Sequence, residues 1–184
     1  MGDKQMRFLI LALITLLSAP ALAQDGAPIP DWYQEHVEFL TRDGGRWIAD
    51  NSEYMSEQET ASAYVVVFSP SFGGASMTGD LFGIDDGENT VIFWEFRSFW
   101  DPVAGEAIMS QFGWGGAYGS GRTWADGEMA YRTDQIFSGP GQPSRREGHL
   151  FSIIDDNTHD TTAYTINQDG SQTPSRTYRW VREV

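Results

Sequence analysis

The sequence predicts an all-β protein: an antiparallel up-and-down β-barrel of about ten strands, with one short N-terminal helix and a signal peptide before it. Three observations carry this. From Arg46 onward the apolar residues recur with a period of two, turn-forming clusters return at the spacing of a meander of short strands, and no second long helical period is visible. A meander of that many strands has two edges to dispose of, and closure into a barrel removes both.

Residues 1–23 read as a cleaved secretory signal. Lys4 and Arg7 precede an apolar run from Phe8 to Leu17 that only Thr15 interrupts, and Ala21-Leu22-Ala23 places small residues where a signal peptidase reads them. The run is shorter than the roughly 20 residues a membrane span needs. The mature chain is therefore expected to begin near Gln24, with no stable membrane insertion, in the periplasm or the medium. Residues 24–30, with Pro28 and Pro30, suit an extended leader, and residues 31–184 are read as a single domain.

Asp31 is expected to cap the helix, with Gln34 three residues on completing a capping box. Trp32, Val37, Phe39 and Leu40 give that helix an apolar side, His36 lies within a turn of Trp32 and Leu40, and Asp43-Gly44-Gly45 ends it. Strands follow near residues 46–54, 61–68, 76–84, 90–100, 107–114, 118–124, 128–137, 145–154, 161–166 and 175–184. Asp86-Gly87, Asp126-Gly127 and Asp169-Gly170 fall in the gaps, where Asx-Gly tolerates the positive φ angles of tight hairpins. Gly113, Gly115, Gly116, Gly119 and Gly121 crowd the fifth and sixth strands, where a closing sheet bends or meets another backbone closely.

Composition narrows the function classes. The 184 residues include no cysteine, so disulfides, thiolate zinc sites, iron–sulfur clusters and a cysteine nucleophile are excluded. Against 26 Asp+Glu stand 12 Lys+Arg, a formal net charge of -14 that speaks against nucleic acid and anionic membranes as partners.

Gly45-Arg46-Trp47, opening the first strand after the helix, resembles the Gly-x-Trp start of calycins, the superfamily of lipocalins and fatty-acid-binding proteins. Gly83-Ile84-Asp85 leading into Val91-Ile92-Phe93-Trp94, and Asp169-Gly170 before Trp180-Val181-Arg182, extend the likeness. Their order and spacing resemble more specifically the lipocalin-like barrel family known as domain of unknown function 1579. The resemblance implies an antiparallel barrel around an internal cavity. It also implies that Trp47 plugs one barrel end and that a basic residue of the last strand, Arg179 or Arg182, packs over its ring; a guanidinium stacks favourably on indole.

Alternation sorts the strand around residues 91–100 into Ile92, Trp94, Phe96, Ser98 and Trp100 on one face and Val91, Phe93, Glu95, Arg97 and Phe99 on the other. The first face is the better cavity wall. Met129 and Tyr131, Tyr164 and Tyr178 extend the candidate lining from other strands, giving Trp94, Phe96, Trp100, Met129, Tyr131, Tyr164 and Tyr178 as ligand-cavity candidates. Aromatic rings with a few hydroxyls suit a small, mostly apolar molecule held by one or two hydrogen bonds. The same rings would also fill a solid core, and the resemblance favours the cavity.

Three histidines, His36, His149 and His159, are too scattered for a metal site, and no cofactor is expected; His149 is the one to consider for haem, which some calycin-type barrels hold by a single histidine. The cluster Asp155, Asp156, Asn157, His159 and Asp160 reads as a solvated turn, lacking the glycine and terminal Glu of a calcium loop. No serine elbow, zinc helix or dinucleotide fingerprint is present. The leading expectation is an exported barrel that binds a small apolar or aromatic molecule without transforming it. An isomerase, cyclase or lyase on the same barrel, with Glu95, Arg97 or Tyr131 moving protons, is the alternative; an envelope protein-interaction module is a third.

Overall fold

The computed structural model describes residues 26–183. The expected signal at 1–23 and the start of the leader lie outside them. Helix α1 (Asp31–Thr41) leads through a 3-10 turn (Arg42–Gly44) into β1 (Arg46–Asp50), and the strands β2 (Ala63–Ser71), β3 (Ser76–Asp85), β4 (Glu88–Asn89), β5 (Trp94–Asp101) and β6 (Glu106–Gly113) follow. The sequence continues through β7 (Ala117–Ala125), β8 (Ala130–Gly139), β9 (Gln142–Asp155), β10 (Thr158–Ile166) and β11 (Gln172–Arg182). All pairings are antiparallel. Chain order equals spatial order from β5 to β11, β11 pairs with β1, β1 with β2, and β2 with β3, which pairs with β5 and so closes the ring. The result is a closed ten-strand barrel; β4 is a two-residue spur on β3.

The register sets the direction of every wall. Trp47 opposes Arg182 and Val66, so β1 carries its indole toward one end, while Asp50 opposite Ala63 marks the other. Helix α1 closes the Trp47 end. An isolated helix of 11 residues is marginal in water, so its apolar face supplies the stability. Tyr33, Val37, Phe39 and Leu40 are buried in one cluster with Trp47, Met77, Ala107 and Trp180, each large side chain contributing about 1.5–3 kcal/mol by leaving water. The helix reaches across the barrel: the Tyr33 and Ser98 hydroxyls lie 3.1 Å apart at β5, Trp32 meets Tyr131 of β8, and Phe39 stacks on Trp47 at 5.2 Å. The leader is pinned beneath, where the amide of Ala27 donates to Pro102 and the Trp100 indole N–H donates to Ala27.

Several local expectations change. Asp31 is the first helical residue and not the cap; Pro30 holds the cap position with no side-chain bond, and the Gln34 amide donates to the Ile29 carbonyl instead. The first strand stops at Asp50, because the chain turns inward at fully buried Asn51, whose side-chain amide donates to the Ala61 carbonyl. The segment before Trp94 leaves the regular ladder, and β9 and β11 begin earlier than their apolar alternation does. The glycine-rich pair β6–β7 is regular, from Gly113 opposite Ala117 to Ala107 opposite Thr123. Glycine is required at Gly119, where a Cβ would stand 2.4 Å from the Phe137 ring, and at Gly121, where it would meet the Asp134 carbonyl oxygen at 1.8 Å.

Candidate functional site

Above the helix, the barrel encloses a cavity of about 770 Å³, within the roughly 300–1,000 Å³ of small-molecule sites. Its waist is apolar: Val66 and Phe68 from β2, Leu81 from β3, Trp94 and Phe96 from β5, and Phe137 from β8 all face it. This follows from alternation, since residues two apart on a strand share the inner face. Polar groups at the waist are tied to each other. The Gln111 amide donates to the Gln135 side-chain carbonyl at 3.1 Å, and the Thr123 and Thr133 hydroxyls lie 2.8 Å apart.

The floor is formed by His36 and Leu40 of α1 with Phe151, His159 and Trp180. His36 packs against Tyr131 at 4.2 Å and Phe151 at 5.2 Å, and Phe151 lies 4.1 Å from His159. Burial pushes the His36 pKa down to about 3. Burial also holds His159 well below the usual histidine range, with neighbouring His36 and Arg182 adding to the effect, and it lowers His149 on the wall. All three imidazoles are neutral at neutral pH. Nδ1 of His36 and Nε2 of His159 are buried without a hydrogen-bond partner, a cost that a polar atom of a bound molecule would relieve.

The opposite end is the mouth, edged by Tyr64, Tyr178, Arg176, Arg145 and Glu147. Arg176 donates to Glu59 at 2.6 Å and to the Tyr178 hydroxyl at 3.2 Å; that hydroxyl donates to Asn51, and Tyr64 donates to the same Glu59. The Arg176 hydrogen bond holds the Glu59 carboxyl below its ordinary range. Burial pushes up the Tyr64 phenol, and Glu59 adds to the shift. Arg145 pairs with Glu147 at 2.5 Å. Each arginine of the mouth is matched by a carboxylate, so the site does not call for a charged ligand.

Of the ligand-cavity candidates, Trp94, Phe96 and Tyr178 line the cavity. Tyr131 and Trp100 point into the barrel but lie at the helix, Tyr131 against Trp32 and His36, Trp100 against Tyr33. Met129 differs from expectation: it precedes β8 in the turn from β7 and is half exposed. Tyr164 differs too. His159, Thr161 and Ala163 of the same strand line the cavity, so alternation puts the Tyr164 ring on the outer wall across Gly148, where its hydroxyl donates to Asp134 and Arg132 stacks over it. Glu95 and Arg97 stand on the exposed outer face of β5, away from the cavity. His149 faces the cavity from β9. Among the described residues, no three His, Asp or Glu side chains gather as a metal would need.

Trp47 plugs the helical end, and the basic residue over it is Arg182, its guanidinium carbon 4.0 Å from the ring centroid. Arg179 faces solvent and pairs with Asp160 at 2.9 Å. The sequence reading missed Arg176, Glu59, Arg145 and Glu147. Arg176 was accessible by counting two residues back from Tyr178 on one strand face; Glu59 comes from an irregular loop between β1 and β2 that carries no period. The closed antiparallel barrel, the capping helix and the Trp47–Arg182 stack are consistent with a calycin or lipocalin-like fold. Comparison of the chain with protein-family models finds no match, and comparison with curated proteins finds none.

Proposed function

We propose that this chain is a lipocalin-like binding protein that takes a small, uncharged, mostly apolar or aromatic molecule into the barrel without transforming it. The observation that carries the reading is the cavity of about 770 Å³ with an apolar waist and internally matched charges at its mouth. The two partnerless imidazole nitrogens of the floor suit a ligand bearing one hydroxyl or amide group. Membership of the family known as domain of unknown function 1579, and export through cleavage near Ala23, belong to the same proposal; they rest on Gly45-Arg46-Trp47 and on the composition of residues 1–23. The alternative of proton-transfer catalysis is less supported, because Glu95 and Arg97 stand outside the barrel and Tyr131 is packed under the helix.

The test is a fluorescence titration of the protein with the neutral probe N-phenyl-1-naphthylamine, repeated with a pool of extracted lipids as competitor. Saturable binding, competed by the pool, is expected. Ala163→Trp, which adds an indole to the cavity wall, is expected to weaken it on the order of tenfold while the unfolding midpoint holds. Absence of saturable binding by the wild-type protein overturns the reading.

A further inference from the structure

The cavity has two unlike sides. In the closed ring β9 lies five strands from β3 in either direction, so the two face each other across the barrel. β3 and its neighbours β2 and β5 present Leu81, Val66, Phe68, Trp94 and Phe96, an apolar and largely aromatic wall. From the opposite side β9 presents His149. The inner row continues on either side of it with Thr133 of β8 and Ala163 of β10. Thr133 already shares a hydrogen bond with Thr123, and the Ala163 side chain has no polar group. The other polar side chains of the waist and mouth are likewise engaged: Gln111 with Gln135, Arg145 with Glu147, Arg176 with Glu59, and Tyr178 with Asn51. Among the described residues His149 makes no side-chain hydrogen bond; burial and the charge of Glu147 are what act on its imidazole. Its nitrogens are not sealed in the way that Nδ1 of His36 and Nε2 of His159 are, and they open on the cavity.

We propose that His149 anchors the ligand and that the ligand is a neutral phenol, with its rings on the wall of Phe68, Trp94 and Phe96 and its hydroxyl bonded to the His149 imidazole. This rests on the binding reading above and names the chemistry that the cavity selects. A neutral imidazole has one N–H and one lone pair, and a hydroxyl serves either of them. An ether or a ketone only accepts. A carboxylate would stand against Glu147, two residues along the same face of β9, and an ammonium group would carry an unpaired charge past an apolar waist. A phenol is favoured over an aliphatic alcohol because its more acidic O–H is the stronger donor to a basic nitrogen and its ring packs well against aromatic side chains. The floor imidazoles are not equivalent anchors. His36 Nδ1 and His159 Nε2 are closed in by the rings of Tyr131 and Phe151, which a ligand would have to displace to reach them.

The test is displacement of bound N-phenyl-1-naphthylamine by 1-naphthol and by 1-methoxynaphthalene, which has the same ring system and no hydroxyl donor. The wild-type protein is expected to prefer the naphthol roughly fivefold, against the order that apolar area alone would give. His149→Leu is expected to abolish the preference, and His149→Gln, which keeps a donor and an acceptor, to restore part of it. The preference is a ratio taken within one variant, so a general change in affinity cancels. In the wild-type protein 1-naphthol, and not 1-methoxynaphthalene, is also expected to shift the imidazole nitrogen resonances of one histidine, the one missing from the spectrum of His149→Gln. The proposal is overturned if the wild-type protein binds the probe without preferring the naphthol, or if His149→Leu keeps the preference. It is equally overturned if His36→Phe loses the preference and His149→Leu does not, which would place the hydroxyl at the floor. The binding reading survives each of these outcomes; failure of the probe itself to bind saturably removes that reading, and the assignment of His149 with it.

Discussion

The guanidinium of Arg182 lies 4.0 Å from the centroid of the Trp47 indole and donates from the same position to the Phe39 and Arg42 carbonyls, at 2.7 and 2.8 Å. One side chain of the last strand thus covers the plug of the first strand and satisfies carbonyls at the end of the capping helix. Trp47 itself donates to the Leu40 carbonyl at 2.9 Å. The closed end is held by donors aimed at helix carbonyls that would otherwise be buried without partners.

That geometry separates the two C-terminal arginines. Arg182→Leu unstacks the indole and leaves the Phe39 and Arg42 carbonyls without these donors, for an expected loss of about 3 kcal/mol in urea unfolding. Arg182→Lys is expected to recover only part of it, because a single ammonium cannot cover the ring and reach both carbonyls. Arg179→Ala removes an exposed ion pair and is expected to leave the unfolding midpoint unchanged. Equal effects at the two positions would contradict the assignment.

The histidines of the floor predict an acid-sensitive fold. His36 titrates at about 3 in the folded state, against the ordinary 6.5 of a histidine free in water. Below pH 6.5 the unfolded chain therefore binds more protons, and stability falls as the pH drops, by up to about 1.4 kcal/mol per pH unit for each such histidine. His159, facing His36 and Arg182, acts in the same direction. Glu59 contributes only lower down: the stability its pairing with Arg176 provides is present above the ordinary glutamate range and is lost as pH falls through its depressed pKa. Unfolding free energy is expected to drop by about 2 kcal/mol or more between pH 6.5 and 5, and His36→Phe, which fits the aromatic surroundings of Tyr131 and Phe151, is expected to flatten that slope. A wild-type curve already flat over this interval would refute the floor as described.

Much of this architecture was legible because period-two alternation and Asx-Gly turns are local signals. The ten barrel strands, their hairpin order and the inner face of β5 all follow from them; the Trp47 plug was implied only by the resemblance of Gly45-Arg46-Trp47 to the calycin start. Tyr164 was misplaced because an aromatic side chain alone does not say which face of β10 is the inner one; His159, Thr161 and Ala163 line the cavity, and alternation then turns Tyr164 outward. His36 and His159 escaped for another reason. They meet only when α1 folds across the barrel end, a contact between residues more than a hundred positions apart that no window along the chain contains.

The displaced tyrosine makes its own prediction. On the outer wall its hydroxyl donates to Asp134, and burial together with that carboxylate pushes its pKa up to about 12. Tyr164→Phe is expected to cost about 1 kcal/mol of stability and to leave naphthylamine affinity unchanged. Tyr178→Phe, which breaks the link from Arg176 to Asn51 at the mouth, is expected to change affinity as well. Loss of affinity on Tyr164→Phe would place that ring inside after all.

The last prediction uses a glycine to move a cavity wall. Gly119 is the surface on which the Phe137 ring lies, and a methyl group there would meet that ring at 2.4 Å. Backbone pairing between Gly119 and Phe137 fixes both strands, so the ring and not the sheet must yield, and the space open to it is the cavity it already lines. Gly119→Ala is therefore expected to shrink the cavity from within, weakening probe binding with a stability loss of about 1–3 kcal/mol. Phe137→Leu in the same chain removes the part of the ring that collides and is expected to restore affinity toward the wild-type value. If binding is indifferent to both changes, the probe does not occupy the waist beside Phe137.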